Sequence, residues 1–159
     1  MNGDIILFQG EGKARRHQVQ AGGSGASINA GEPVAKSLGS AYVAAMATNK
    51  PVVATDYLVG ISASKASSET ASADGFVDVI DLVPGQVFLM KPNVAASWDT
   101  QAEYNALVGD RVLMDLTGGS YTILATDGAT SGCVIELINV VETPGKVAFS
   151  IRHGASYLA

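Results

Sequence analysis

Charge is scarce in this chain of 159 residues: Asp, Glu, Lys and Arg together make up 16%, against about a quarter in an ordinary domain. The net charge of -5 gives no excess of Lys and Arg to neutralise phosphates, which argues against a nucleic-acid partner. A single cysteine, Cys133, excludes an internal disulfide. It precedes Val134-Ile135 and reads as a small buried hydrophobe. There are two histidines, His17 and His153. Neither sits in a CxxC or HExxH type of spacing, so no metal site is expected. No basic stretch followed by an apolar run opens the sequence. No apolar run reaches the ~20 residues that a membrane helix needs. The expectation is a protein without a membrane partner, kept in a host cytoplasm or in a particle assembled there.

Catalytic patterns are missing too. Gly22-Gly23-Ser24-Gly25-Ala26 departs from the nucleophile elbow because Ala26 stands where glycine is required. Neither a dinucleotide fingerprint nor a phosphate-binding loop is present. Asp78 and Asp81 are three residues apart on an alternating segment, so they fall on opposite faces and do not converge. The chain is therefore expected not to be an enzyme and to carry no cofactor.

Hydrophobic residues, at 47%, and 18 glycines fit a folded domain, since disorder pairs low hydrophobicity with high charge. The length suits one domain with a self-sufficient core. The low charge leaves two possibilities open: a surface partly covered by partners, or a plain surface of small residues. Charge is also unevenly placed. Residues 1–50 hold five basic and three acidic side chains, and residues 51–159 hold five basic and twelve acidic. Such a division suits docking against an acidic partner or a neighbouring copy.

The pattern along the chain predicts a mainly β fold, a small barrel or sandwich with one short helix and an extended N-terminal arm. Residues 1–29 are read as a first strand, Ile5–Phe8, followed by a Gly-rich arm; residues 30–159 are read as the β domain. Glycine and serine at the density of residues 9–33 disfavour a packed core. The arm is expected to be poorly ordered alone and to order on a partner. Strands are expected at 41–47, 58–62, 76–83 and 87–90. Two hairpins follow, 111–116 with 121–125 and 133–141 with 146–153, turning at Thr117-Gly118-Gly119-Ser120 and Glu142-Thr143-Pro144-Gly145. Closely spaced strands with turn signals indicate a barrel or sandwich. One helix is expected over 100–108: Thr100 and Glu103 form a capping box, Tyr104, Leu107 and Val108 make an apolar stripe, and Gly109 follows as a stop.

Candidate partner-binding residues are Lys13, Arg15, Arg16, His17 and Trp98. The basic cluster lies inside the expected arm, where it offers charge-assisted contacts to carboxylates; a short charge run is otherwise simply solvated. Trp98 stands as either a core residue under the helix or an interface anchor.

Five segments occur in an order that resembles the decoration (cement) proteins of tailed-phage capsids. They are Ala30-Gly31-Glu32-Pro33-Val34, Tyr57-Leu58-Val59-Gly60-Ile61-Ser62, Asp74-Gly75-Phe76-Val77-Asp78-Val79, Val83-Pro84-Gly85 and Leu107-Val108-Gly109-Asp110-Arg111-Val112. The resemblance covers roughly residues 30–153 and includes no catalytic motif. It implies a small β-barrel or β-tulip that binds the outer surface of a capsid shell and bridges capsomers. Its partners would be the major capsid protein and copies of itself, commonly as a trimer. Another β-structural virion part, such as a head-fibre base or tail component, fits the same residues, and a small-barrel enzyme is the more distant alternative.

Overall fold

A computed structural model describes residues 6–9, 13–20, 28–47, 50–66, 73–83, 85–94, 98–117, 120–124, 128–152 and 155. The fold is mainly β, with several antiparallel sheets and one helix among the described residues.

The first sheet to be completed along the chain is built from β2 (Ala14–Val19), β3 (Pro33–Ser37), β4 (Ala44–Ala45), β5 (Asp56–Ser62) and β6 (Gly75–Asp81). Its order is β2-β6-β5-β3-β4. Alternation sets its two faces: along β6, Val77 and Val79 are buried while Phe76 is exposed. The two ends of the sheet meet where Val19 forms a parallel bridge to Val43. There the Val43 N–H donates to the Gln18 carbonyl at 2.9 Å. This rolls the sheet into a small barrel around Val19, Ile28, Val34, Val43, Val59, Ala66, Val77 and Val79. Val19 and Val79 are fully buried, each worth roughly 1.5–3 kcal/mol relative to exposure. Gly60 permits the close approach of β5 to its neighbour β6, because a Cβ there would lie 2.1 Å from the Ile80 carbonyl oxygen.

A second sheet has the order β1-β7-β12-β11-β8. Its strands are β1 (Ile6–Gln9), β7 (Val87–Met90), β8 (Arg111–Val112), β11 (Cys133–Glu136) and β12 (Val147–Ile151). All four pairings are antiparallel. Phe88 and Phe149 sit opposite each other on β7 and β12, with ring centroids 5.8 Å apart. They belong to the larger core, together with Leu58, Met90, Met114, Ile123, Ile135 and Trp98. A hairpin of β9 (Met114–Thr117) and β10 (Ser120–Ile123) borders this sheet. It is tied to the end of β7 by Ile123 N–H to Lys91 O and Asn93 N–H to Ile123 O, both at 2.9 Å. Residues 50–53 join the two halves: Met114 N–H donates to Lys50 O, Gly132 N–H to Pro51 O and Val53 N–H to Thr130 O.

The helix α1 spans Gln101–Leu107 and starts with the expected capping box of Thr100 and Glu103. Gly109 follows at φ 91°, a conformation that glycine adopts without steric cost. Tyr104 is fully buried. Its hydroxyl donates to Glu136 O at 2.7 Å and accepts the Ala148 N–H at 2.9 Å. It thereby bridges β11 and β12 at the end where their connection joins them. Burial pushes the Tyr104 phenol up to about 12.

Three expectations change. Residues 14–19 were expected inside a loose arm, but they form β2, six residues paired with β6 from Ala14↔Ile80 to Val19↔Gly75. β1 and β2 pair with β7 and β6 of the later residues. The rest of the Gly-rich segment, residues 10–12 and 21–27, lies outside the described residues. The expected strand over 41–47 shrinks to β4, since Ser40 and Tyr42 close a turn through the Ser40 hydroxyl. The strand expected over 133–141 stops at Glu136. Beyond it Gln101 takes the backbone: its Nε2 donates to Ile138 O at 3.0 Å and its Oε1 accepts the Val140 N–H at 3.1 Å. Side-chain bonds from the helix thus replace a sheet ladder over these residues.

Candidate partner-binding surface

The basic cluster lies on β2, an edge strand in the ladder order. Alternation divides it between two faces. Arg15 and His17 share the face of Val19, Val77, Val79 and Asp81, which is the barrel interior, and so sit toward one mouth of the barrel. Asp81 is 3% exposed there. The Arg15 Nε lies 2.8 Å from Asp81 Oδ2, as an ion pair without hydrogen-bond alignment. The His17 Nε2 lies 3.2 Å from Asp81 Oδ1. A carboxylate this deeply buried needs paired charge, which Arg15 supplies. Arg16 turns to the outer face and meets Asp78 at 3.1 Å. The two are direct cross-strand partners in a non-hydrogen-bonded pair, where side chains approach most closely. The hydrogen bond to Asp78, and then its charge, raise the Arg16 guanidinium above its ordinary range. Lys13 is exposed, and its carbonyl accepts the Asp81 N–H at 3.0 Å.

Asp78 and Asp81 therefore serve separate ion pairs, as their spacing suggested. Arg15 and Arg16 keep 59% and 68% of their side-chain surface exposed, so each presents donors outward as well as inward.

Trp98 is 4% exposed and meets Tyr104 edge-on, with ring centroids 6.1 Å apart. This is the core position under the helix. Its indole N–H is buried with no hydrogen-bond partner among the described residues.

Two features were not singled out in the sequence. One is an apolar display on the β11–β12 connection: Leu137 is 66% exposed and Val141 82% exposed. Leu137 also lines a groove of about 500 Å³ with Gln101, Asn105, Ile138 and Asn139. Leu137, Ile138, Val140 and Val141 look like strand residues in sequence, which hid this display. Asn139, whose carbonyl accepts from the Thr143 hydroxyl and from the Glu142 and Thr143 N–H groups, was the available signal of a turn. The other is a half-open cavity of about 390 Å³ floored by Ala35, Ala44, Ala45 and Ala47. On its wall Lys50 Nζ pairs with the largely buried Asp56 at 2.6 Å.

The acid of the Gly-Glu-Pro-Val segment is structural. Glu32 is 4% exposed, and its carboxylate accepts the Asn29 backbone N–H at 2.9 Å and the Asn29 side-chain amide at 3.0 Å. Ser62, at the end of β5, ties the same turn: its hydroxyl donates to Asn29 O and accepts the Glu32 N–H at 2.9 Å. Among the described residues, no group of three or more His, Cys, Asp or Glu is placed to hold a metal ion. No helix among them is long and apolar enough to cross a membrane. Comparisons with protein-family models, with curated proteins and with solved structures each find no match.

Proposed function

We propose that this chain is a structural protein that works by binding other protein surfaces, and that it decorates the outside of a tailed-phage capsid. The observation that carries the surface-binding reading is the pinned apolar display at Leu137 and Val141. Leaving two aliphatic side chains this exposed forgoes the stabilisation of burying them. Gln101 holds the connecting backbone in place, so little further ordering is needed on docking. The capsid setting rests on the ordered segments that resemble decoration proteins, with the major capsid protein and further copies of the chain as partners. Trimeric assembly belongs to the same proposal, since a closed ring satisfies its own interfaces.

The test is co-sedimentation of the purified protein with undecorated capsids, together with its mass in solution. The expected outcome is saturable binding that the double variant Leu137→Asp, Val141→Asp weakens while its melting temperature stays unchanged. Binding that is absent, or indifferent to this variant, would count against the proposal.

A further inference from the structure

The barrel seam is only half closed. On one side stands β2, six residues long; on the other stands β4, two residues long. They meet at the Val19–Val43 bridge and nowhere else among the described residues. A strand continuing the line of β4 backward from Val43 would run beside Ala14–His17. The chain instead leaves that line at the Ser40–Tyr42 turn.

Hydrogen bonds at the two ends of β2 fix which backbone groups face this gap. The Lys13 carbonyl points at β6, because it accepts from Asp81. The Gln18 carbonyl points away from β6, because it accepts from Val43. Strand backbone groups alternate, so the N–H and C=O of Ala14 and Arg16 point into the gap. No described residue pairs with them there. The cations bordering the gap lie on both faces of the strand: Arg15 on one, Arg16 on the other, with exposed Lys13 at the end. An isolated edge is commonly guarded by such charges, but they guard only against neutral or basic strands. For an acidic strand they are complementary.

We propose that the half-open seam along Ala14–His17 takes an extended, acidic segment of a partner protein as an added strand. Ala14 and Arg16 supply the backbone ladder, and Lys13, Arg15 and Arg16 select carboxylates on both faces. The seam admits a short segment only, because Val43 blocks its far end. This rests on the protein-binding reading above but not on the capsid setting.

The test titrates the full chain with a synthetic heptapeptide carrying three central Glu residues flanked by Thr, beside a Lys-substituted control. Amide hydrogen exchange is read residue by residue. The Glu peptide is expected to slow exchange at Ala14 and Arg16 and to bind more weakly as salt rises, and the Lys peptide is expected not to bind. Ala14→Pro removes one outward N–H that pairs with no described residue. It is expected to weaken peptide binding about tenfold with an unchanged melting temperature, as proline is tolerated on an edge whose N–H faces solvent. If Ala14→Pro disturbs the fold, Lys13→Glu takes its place and is expected to weaken binding several-fold. No protection at Ala14 and Arg16, or equal affinity in the folded variant, would overturn the inference. Particle binding without peptide binding removes this inference alone. Peptide binding without particle binding removes the capsid setting alone.

Discussion

Replacing Tyr104 with Phe removes one oxygen and keeps the ring. The ring continues to fill its place against Trp98, so almost no cavity opens. The hydroxyl, however, links two strands: it donates to Glu136 O at 2.7 Å and accepts the Ala148 N–H at 2.9 Å. Ala148 is fully buried, so its N–H loses its partner with no water to replace it. An orphaned buried donor costs about 1–3 kcal/mol. The Glu136 carbonyl belongs to a half-exposed residue and adds less. Together they give a loss of about 2–4 kcal/mol, or a melting temperature lower by roughly 5–15 °C for a chain of this size. Urea unfolding measures this directly. The midpoint should fall with the slope unchanged, since the change alters stability and not the surface exposed on unfolding. A loss below about 0.5 kcal/mol, within the scatter of a neutral surface substitution, would refute the claim that this hydroxyl holds the β11–β12 end together.

Alkaline pH provides a second test. Burial pushes both Tyr104 and Tyr121 up to about 12 from an ordinary 10.0, so the fold favours the neutral phenols. The stability they confer is intact below pH 10 and is lost as the pH rises toward 12, by about 2–3 kcal/mol per tyrosine. The double variant Tyr104→Phe, Tyr121→Phe should flatten that decline in denaturation curves taken across the interval. Gly60→Ala places a methyl 2.1 Å from the Ile80 carbonyl and should leave little folded protein by circular dichroism and size exclusion. Deleting residues 2–29 removes β1, β2 and the fully buried Val19; cooperative thermal unfolding should be lost, whereas an unchanged melting temperature would show that β2 is dispensable.

Local signals carried most of the fold. The capping box of Thr100 and Glu103 and the alternation of Val77 and Val79 each act within a few residues, and each is found as read; the pairings of β9 with β10 and of β11 with β12 are antiparallel as expected, the second across a longer connection. What misled was composition taken as a substitute for pairing. Lys13 to Val19 looks like part of a glycine-rich arm because its neighbours are glycines. Its place is set instead by β6, some sixty residues on, where Asp78 and Asp81 await Arg16, Arg15 and His17. No window of sequence contains both halves of that arrangement. The β11–β12 connection failed for a related reason. Apolar residues at 137–141 satisfy a strand pattern, and only Gln101, reaching over from the helix, decides otherwise. Of the candidate residues, Trp98 resolved to the core because Tyr104 lies against it.

The path of the chain through its two sheets has a kinetic consequence. Residues 14–81 complete the barrel without help from anything downstream except contacts between the halves, whereas Ile6 must find Leu89. At ribosomal speeds of about 5–20 residues per second, roughly 4–16 s separate the synthesis of β1 from that of its partner. β1 therefore begins its existence without a place to pair. Its hydrogen-bonding edge stays open until β7 emerges, and β7 in turn is sandwiched only when β12 arrives. The interval between the pairing of β2 to β6 and a finished second sheet is when this chain is most liable to pair with a neighbour's strand instead of its own.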